Sequence, residues 1–126
     1  MGDTLDFLLV EVENGRAVFE STPGPQVLNP LGTVHGGYAA TLLDSACGCA
    51  ALSTLGMDHT YTTVELKVAY HRPITLESGT LRTEGKILSL GRRVAFTEAR
   101  MVDSKGRLYA SATSTLLILE APTAAT

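Results

Sequence analysis

The segment from Val34 to Leu55, V-H-G-G-Y-A-A-T-L-L-D-S-A-C-G-C-A-A-L-S-T-L, constrains the fold more than any other part of this chain. Its run of Ala, Leu and Gly predicts a long, almost wholly apolar helix beginning near Val34 or His35, of the kind packed on all sides. Everything around it is strand-like. Leu5–Glu13 and Arg16–Ser21 flank the hairpin signal Glu13-Asn14-Gly15. Pro23, Pro25 and Pro30 keep Thr22–Leu31 a loop. After the helix, Thr60–Tyr70 alternates Val64, Leu66 and Val68 against Glu65 and Lys67. Thr80–Leu90, Arg93–Asp103 and Leu108–Glu120 follow, joined by short turns that favour an antiparallel meander. The order is β-β-α-β-β-β-β. One apolar helix and one curved antiparallel sheet can bury their faces only against each other, which makes the fold class α+β.

The chain has 126 residues, the size of one domain spanning 1–126, with a frayed tail expected over 121–126. Hydrophobic residues make up 44% and charged residues 18%, an ordinary globular balance. Net charge is −3 with no basic stripe, and Trp is absent, which argues against nucleic acid or anionic membrane as the main partner. The acidic start M-G-D-T-L-D-F has neither the pattern of a signal peptide nor a convincing myristoylation signal. Tyr38–Leu55 approaches the apolarity of a membrane span, but Thr41, Asp44 and Ser45 interrupt it. Cys47 and Cys49 lie two apart on the helix and point to different sides, so they read as small unbridged core fillers in a reducing, cytoplasmic compartment.

The helix also carries the candidate chemistry. His35, Gly36 and Gly37 open it, where free N–H groups and the helix dipole favour developing negative charge. The glycines leave those N–H groups open to approach, or simply permit close packing. Asp44 is a poor mid-helix residue that wants a reason. It reads as a nucleophile towards a thioester, as a general base towards water, or as a carboxylate held by Thr41, Ser45 or backbone at an interface. Asp44 follows Gly36 by eight residues, about 12 Å along a helix. An oxyanion donor and a nucleophile must both lie within roughly 3 Å of one carbonyl group. One helix cannot do that. If both act, Gly36 comes from one chain and Asp44 from the next, which predicts an obligate homodimer with two equivalent sites. His35 orients substrate or Asn29, or caps the helix. Arg92 and Arg93 follow a turn glycine and form either a phosphate-binding fork or a solvated strand end. His59 and His71 have no metal-like partners, and neither a serine-hydrolase elbow nor a dinucleotide or Walker pattern occurs, so no metal site is expected.

The segment H-G-G-Y-A-A-T-L-L-D-S-A-C-G resembles the helix motif of hot-dog-fold acyl-CoA thioesterases, in particular the phenylacetate-pathway and 4-hydroxybenzoyl-CoA thioesterase-like group. The likeness extends through L-N-P-L-G-T-V, V-E-L-K-V-A-Y-H-R-P, G-R-R-V-A-F-T-E-A-R and G-R-L-Y-A-S-A-T. It implies Asp44 as catalytic carboxylate and the Gly36 N–H as donor to the thioester oxygen. It implies Asn29 near the thioester or attacking water, His35 supporting that cluster, Thr63 assisting water, and Arg92 near the CoA phosphates. Gly37 and Arg93 join the substrate-binding set. It further implies two subunits sharing a continuous sheet, commonly paired again as a homotetramer, and no cofactor beyond the coenzyme A of the substrate.

Two rivals share the fold. A non-catalytic acyl-CoA-binding protein would bind without releasing thiol. An enoyl-CoA hydratase would need an acid–base His and carboxylate, and His35 lies nine residues before Asp44, which fits poorly. An aryl or medium-chain acyl group is the expected substrate. Tyr38, Leu42, Leu43 and Met57 read equally as pocket walls and as core.

Overall fold

The structure, a computed structural model, describes residues 7–120. Leu5 and Asp6 of the first expected strand, and the expected frayed tail 121–126, lie outside the described residues. Strands β1 (Phe7–Glu13) and β2 (Arg16–Ser21) form a hairpin, and helix α1 (Gly36–Leu52) follows the proline-rich loop. Then come β3 (His59–Tyr70), β4 (Leu81–Leu90), β5 (Val94–Asp103) and β6 (Leu108–Glu120). The six strands make one antiparallel sheet in the order β1-β2-β4-β5-β6-β3. This is the expected element order, with the meander over β4-β5-β6. It is a hot-dog fold, one long helix held against a single sheet.

Alternation on the strands builds the core. Phe19, Leu81, Met101, Ala112 and Leu116 face the helix and are buried, and Leu42, Leu43, Ala46, Cys47 and Ala50 meet them from α1. Each fully buried leucine there contributes about 1.5–3 kcal/mol by leaving water. The helix lies very close to β4: a Cβ added at Gly85 would come within 2.3 Å of the Ala46 carbonyl oxygen. Only glycine permits that approach. The opposite face of the sheet is laced with charge. Arg16 bridges Glu11, Glu13 and Glu84, and Arg82 bridges Glu11 and Glu20. No helix of the described residues is long and apolar enough to cross a membrane.

Two expectations fail. The helix is not packed on all sides: Gly37 is exposed, and Ala40, Thr41, Asp44 and Ser45 are only half-buried. That face lies beyond the edge strand β3, and no element of the described chain covers it. The alternation across β3 also breaks. Between Thr63 and Glu65 the pairing with β6 shifts register, a bulge centred on Val64. Val64 is turned out to 58% exposure, while Leu66 and Val68 keep to the core side. A bulge adds a residue to one strand and re-aims its neighbours, and here Thr63 is the residue turned towards the helix.

Candidate active site

The helix start is built by the loop before it. Asn29 Oδ1 accepts from the Leu31 and Thr33 N–H groups, and its amide nitrogen donates to Thr33 Oγ1. These bonds pin the turn that delivers His35. The His35 N–H donates to Val27 O, and its Nδ1 accepts from Gly37 N–H at 2.9 Å, capping the helix. An accepting Nδ1 carries no proton, so the ring's N–H is at Nε2. The Gly37 N–H is thereby occupied, whereas the Gly36 N–H has no partner among the described residues. Tyr70, from the end of β3, donates its hydroxyl to Gly36 O at 2.6 Å. A Cβ at Gly36 would sit 3.0 Å from that hydroxyl, so glycine suits this position on packing grounds as well. His35, Gly36, Tyr70, Arg72 and Ile74 line a hollow of about 280 Å³ beside the helix mouth.

Two turns along the helix, Asp44 Oδ1 accepts from Thr63 Oγ1 at 2.9 Å. That is the only hydrogen bond its carboxylate accepts among the described residues. Thr41, placed at sequence level as a candidate holder, donates to Gly37 O instead. Ala40, Thr41, Asp44, Ser45 and Leu66 line an open hollow of about 270 Å³. Beyond it, one turn further, Tyr61 lies across Gly48. Burial beside the helix, then the neighbouring Cys49 and Asp44, push the Tyr61 phenol above its ordinary range.

The structure thus brings Asp44 to Thr63, and Asn29, His35, Gly36 and Gly37 into one helix mouth, but it keeps the two groups apart. Gly36 and Asp44 sit on one unbroken helix, about 12 Å apart along its axis. Arg92 and Arg93 lie farther off, in the β4–β5 turn. They line a groove of about 740 Å³ with His59, Leu117, Ile118, Leu119 and Glu120. The helix-facing Ile118 and the oppositely directed Leu117 and Leu119 all line it, so both faces of the sheet border this groove.

The remaining candidates sort themselves by burial. Tyr38, Leu42 and Leu43 are core, and Met57 is fully exposed. Cys47 and Cys49 are free thiols, and burial pushes the Cys47 thiol up to about 11, as befits an inert core residue. No group of three or more His, Cys, Asp or Glu side chains among the described residues stands close enough to share a metal ion. Tyr70 and Tyr61 were missed. For Tyr61 a signal existed: a mid-helix glycine costs about 1 kcal/mol relative to alanine, so Gly48 announces that something lies against the helix there.

Comparison with known proteins agrees with this architecture. Residues 31–110 match the family model of the thioesterase superfamily. The proofreading thioesterase EntH of Klebsiella pneumoniae is 29% identical, over 82% of this chain and 74% of its own. Human acyl-coenzyme A thioesterase 13 is also 29% identical, over 81% of this chain and 72% of its own. A Streptococcus mutans protein solved with bound acetyl-CoA superposes with a TM-score of 0.83 at 25% identity, covering 93% of this chain and 91% of that one. The chain belongs to the thioesterase superfamily and is a thioester hydrolase.

Proposed function

We propose that the protein is an acyl-CoA thioesterase that cleaves R–CO–S–CoA with water to a free acid and CoA, using Asp44 as nucleophile or general base. The observation that carries this reading is the Asp44 carboxylate, half-buried on an apolar helix with a single hydroxyl donor, Thr63. Asp44 also lines an open hollow. As a base, it takes a proton from water while the water oxygen attacks the carbonyl carbon. As a nucleophile, it bonds to that carbon and the resulting anhydride is opened by water. In both cases the C–S bond breaks, and the departing thiolate takes up a proton.

The negative charge developing on the carbonyl oxygen needs a donor within about 3 Å. The unpartnered Gly36 N–H suits it, but not on the same helix. Strand β3 pairs only with β6, and its outer edge is free among the described residues. Such an edge invites a second strand. Antiparallel pairing of β3 with its copy covers the open face of α1 and sets the two helices antiparallel. Gly36 of the partner subunit then faces Asp44, and the site is complete only in the homodimer. Further pairing into a homotetramer rests on the family resemblance alone. We assign His35 and the remaining Asn29 amide hydrogen to the same carbonyl or the water, and Arg92 and Arg93 to the CoA phosphates. No cofactor enters the reaction. Free cysteines suit a cytoplasmic setting.

The test is thiol release from benzoyl-, phenylacetyl-, hexanoyl- and lauroyl-CoA by wild type and Asp44→Asn, with the assembly state of both measured by light scattering. Release by wild type alone, from dimers in both cases, is the expected result. Binding without release would favour the acyl-CoA-binding protein.

A further inference from the structure

Which acyl groups the site takes follows from what stands one turn beyond Asp44. Asp44 and Gly48 are four residues apart and lie on the same side of the helix. Tyr61 is pressed onto the helix at that point: a Cβ added at Gly48 would lie 2.0 Å from the Tyr61 hydroxyl oxygen and 2.4 Å from the ring carbon that bears it. Its ring packs against Ala51, Ala95, Leu116 and Ile118, which are all buried. The phenol therefore occupies the space between α1 and β3, and it is braced from behind.

A thioester held at Asp44 can extend its acyl group along the helix in two directions. If Gly36 of the partner subunit faces Asp44, the two-fold axis passes Ala40, the midpoint of residues 36 and 44. The hollow at Asp44, lined also by Ala40, Thr41, Ser45 and Leu66, reaches back along the helix to Ala40 and there borders the partner's own site. The C-terminal side belongs to one site alone, and there the path runs from Asp44 to Tyr61. Four residues of helix span about 6 Å, the length of one aromatic ring or a short chain.

We infer that Tyr61 is a specificity-determining residue that closes the acyl channel about one helical turn beyond Asp44, restricting the enzyme to aryl and short acyl groups. This rests on the thioesterase reading of Asp44 and on the two-fold arrangement proposed above, and it narrows that reading by removing long-chain esters from the substrate range. Tyr61 acts here by volume and touches the end of the acyl group, with no part in the bond-breaking step.

The experiment compares kcat/KM for benzoyl-, hexanoyl- and lauroyl-CoA in wild type, Tyr61→Phe and Tyr61→Ala, with Asp44→Asn as the inactive control. Wild type should favour the benzoyl and hexanoyl esters over lauroyl by about tenfold or more, the discrimination a closed hydrophobic pocket achieves. Tyr61→Phe keeps the ring and should keep that ratio. Tyr61→Ala should raise the lauroyl-to-hexanoyl ratio about tenfold while Asp44 still turns over hexanoyl. A ratio unchanged in a folded, active Tyr61→Ala protein would overturn the inference and leave the thioesterase reading intact. Tyr61→Leu replaces the alanine variant if that one melts early. Independently of any variant, lauroyl hydrolysis by wild type as fast as hexanoyl hydrolysis overturns the inference. Failure of wild type on every ester removes the reading beneath it.

Discussion

Two aspartates in this chain stand in opposite circumstances. Asp103, at the end of β5, is buried, and four donors converge on it. The Lys105 and Arg107 N–H groups bond to Oδ1, and the Arg107 guanidinium and the Tyr109 hydroxyl bond to Oδ2. Burial alone would raise its pKa, but these donors outweigh that and hold it at about 2. Asp44, mid-helix, receives one hydroxyl and opens onto a hollow. The β5–β6 turn spends its carboxylate entirely on holding itself together. The helix spends almost none of its own. A carboxylate with oxygen lone pairs left over is one that can take a proton or attack carbon.

Replacing each aspartate by asparagine separates the two roles. Asp44→Asn should lower kcat by about 10²–10⁴-fold while the melting temperature and assembly hold. A large loss of stability with activity preserved would put Asp44 in the same class as Asp103. The converse is expected of Asp103→Asn: a lower melting temperature, with the folded fraction retaining wild-type kinetics.

Acid should expose the same contrast. Because the Asp103 pKa is lowered on folding from 3.8 to about 2, its stabilisation is fully present above 3.8 and is lost as pH falls through about 2. Melting temperatures of wild type and Asp103→Asn should therefore differ at neutral pH and converge towards pH 2. A constant gap down to that pH would show that the turn is held by something other than the charge.

The sequence reaches some of this contrast and misses the rest for physical reasons. The long apolar helix, the six strands and their order are legible because each has a strong local pattern. The candidate pair Gly36 and Asp44 is legible because a glycine-opened helix and a carboxylate in an apolar run are both locally costly. The open face of the helix is not legible: Ala40, Thr41 and Ser45 are small enough for either environment, and what covers them depends on where β3 ends up. The bulge at Val64 defeats the alternation rule, since V-E-L-K-V has a perfect period of two that does not show its first residue, Val64, to be the extra one. Thr63 reached the candidate set only through the family resemblance. Tyr70 and Tyr61 meet the helix across 34 and 13 residues of chain, contacts that no local pattern encodes.

Thr63 tests how much that one donor matters to Asp44. Thr63→Val keeps the shape and the β-branch but removes the hydroxyl. Loss of one hydrogen bond to a charged group should cost about tenfold in kcat, equivalent to about 1.4 kcal/mol. KM should change little, because the bond is made before substrate arrives. An unaltered kcat would mean that Asp44 needs no orienting and that the bulge serves packing alone.

The smallest effect carries the distinction between spent and unspent groups from carboxylates to arginines. Arg16, Arg82 and Arg107 each hold one or more carboxylates. Arg92 and Arg93 hold none among the described residues, although they sit beside Glu120 in one groove. If unspent groups are the ones left for substrate, the double variant Arg92→Ala/Arg93→Ala should raise KM for acyl-CoA a few-fold and leave kcat in place. An exposed cation–phosphate contact is worth roughly 1 kcal/mol or less and is screened by salt. The difference from wild type should therefore shrink as ionic strength rises. Arg82→Ala, which removes a charge of the same sign from elsewhere on the sheet, should leave KM alone at every salt concentration. Equal effects from both variants would mean that the long-range charge of the protein is being felt and that the β4–β5 turn holds no phosphate. An effect confined to Arg92 and Arg93 would place the CoA end of the substrate at the β4–β5 turn, in the groove they share with Glu120.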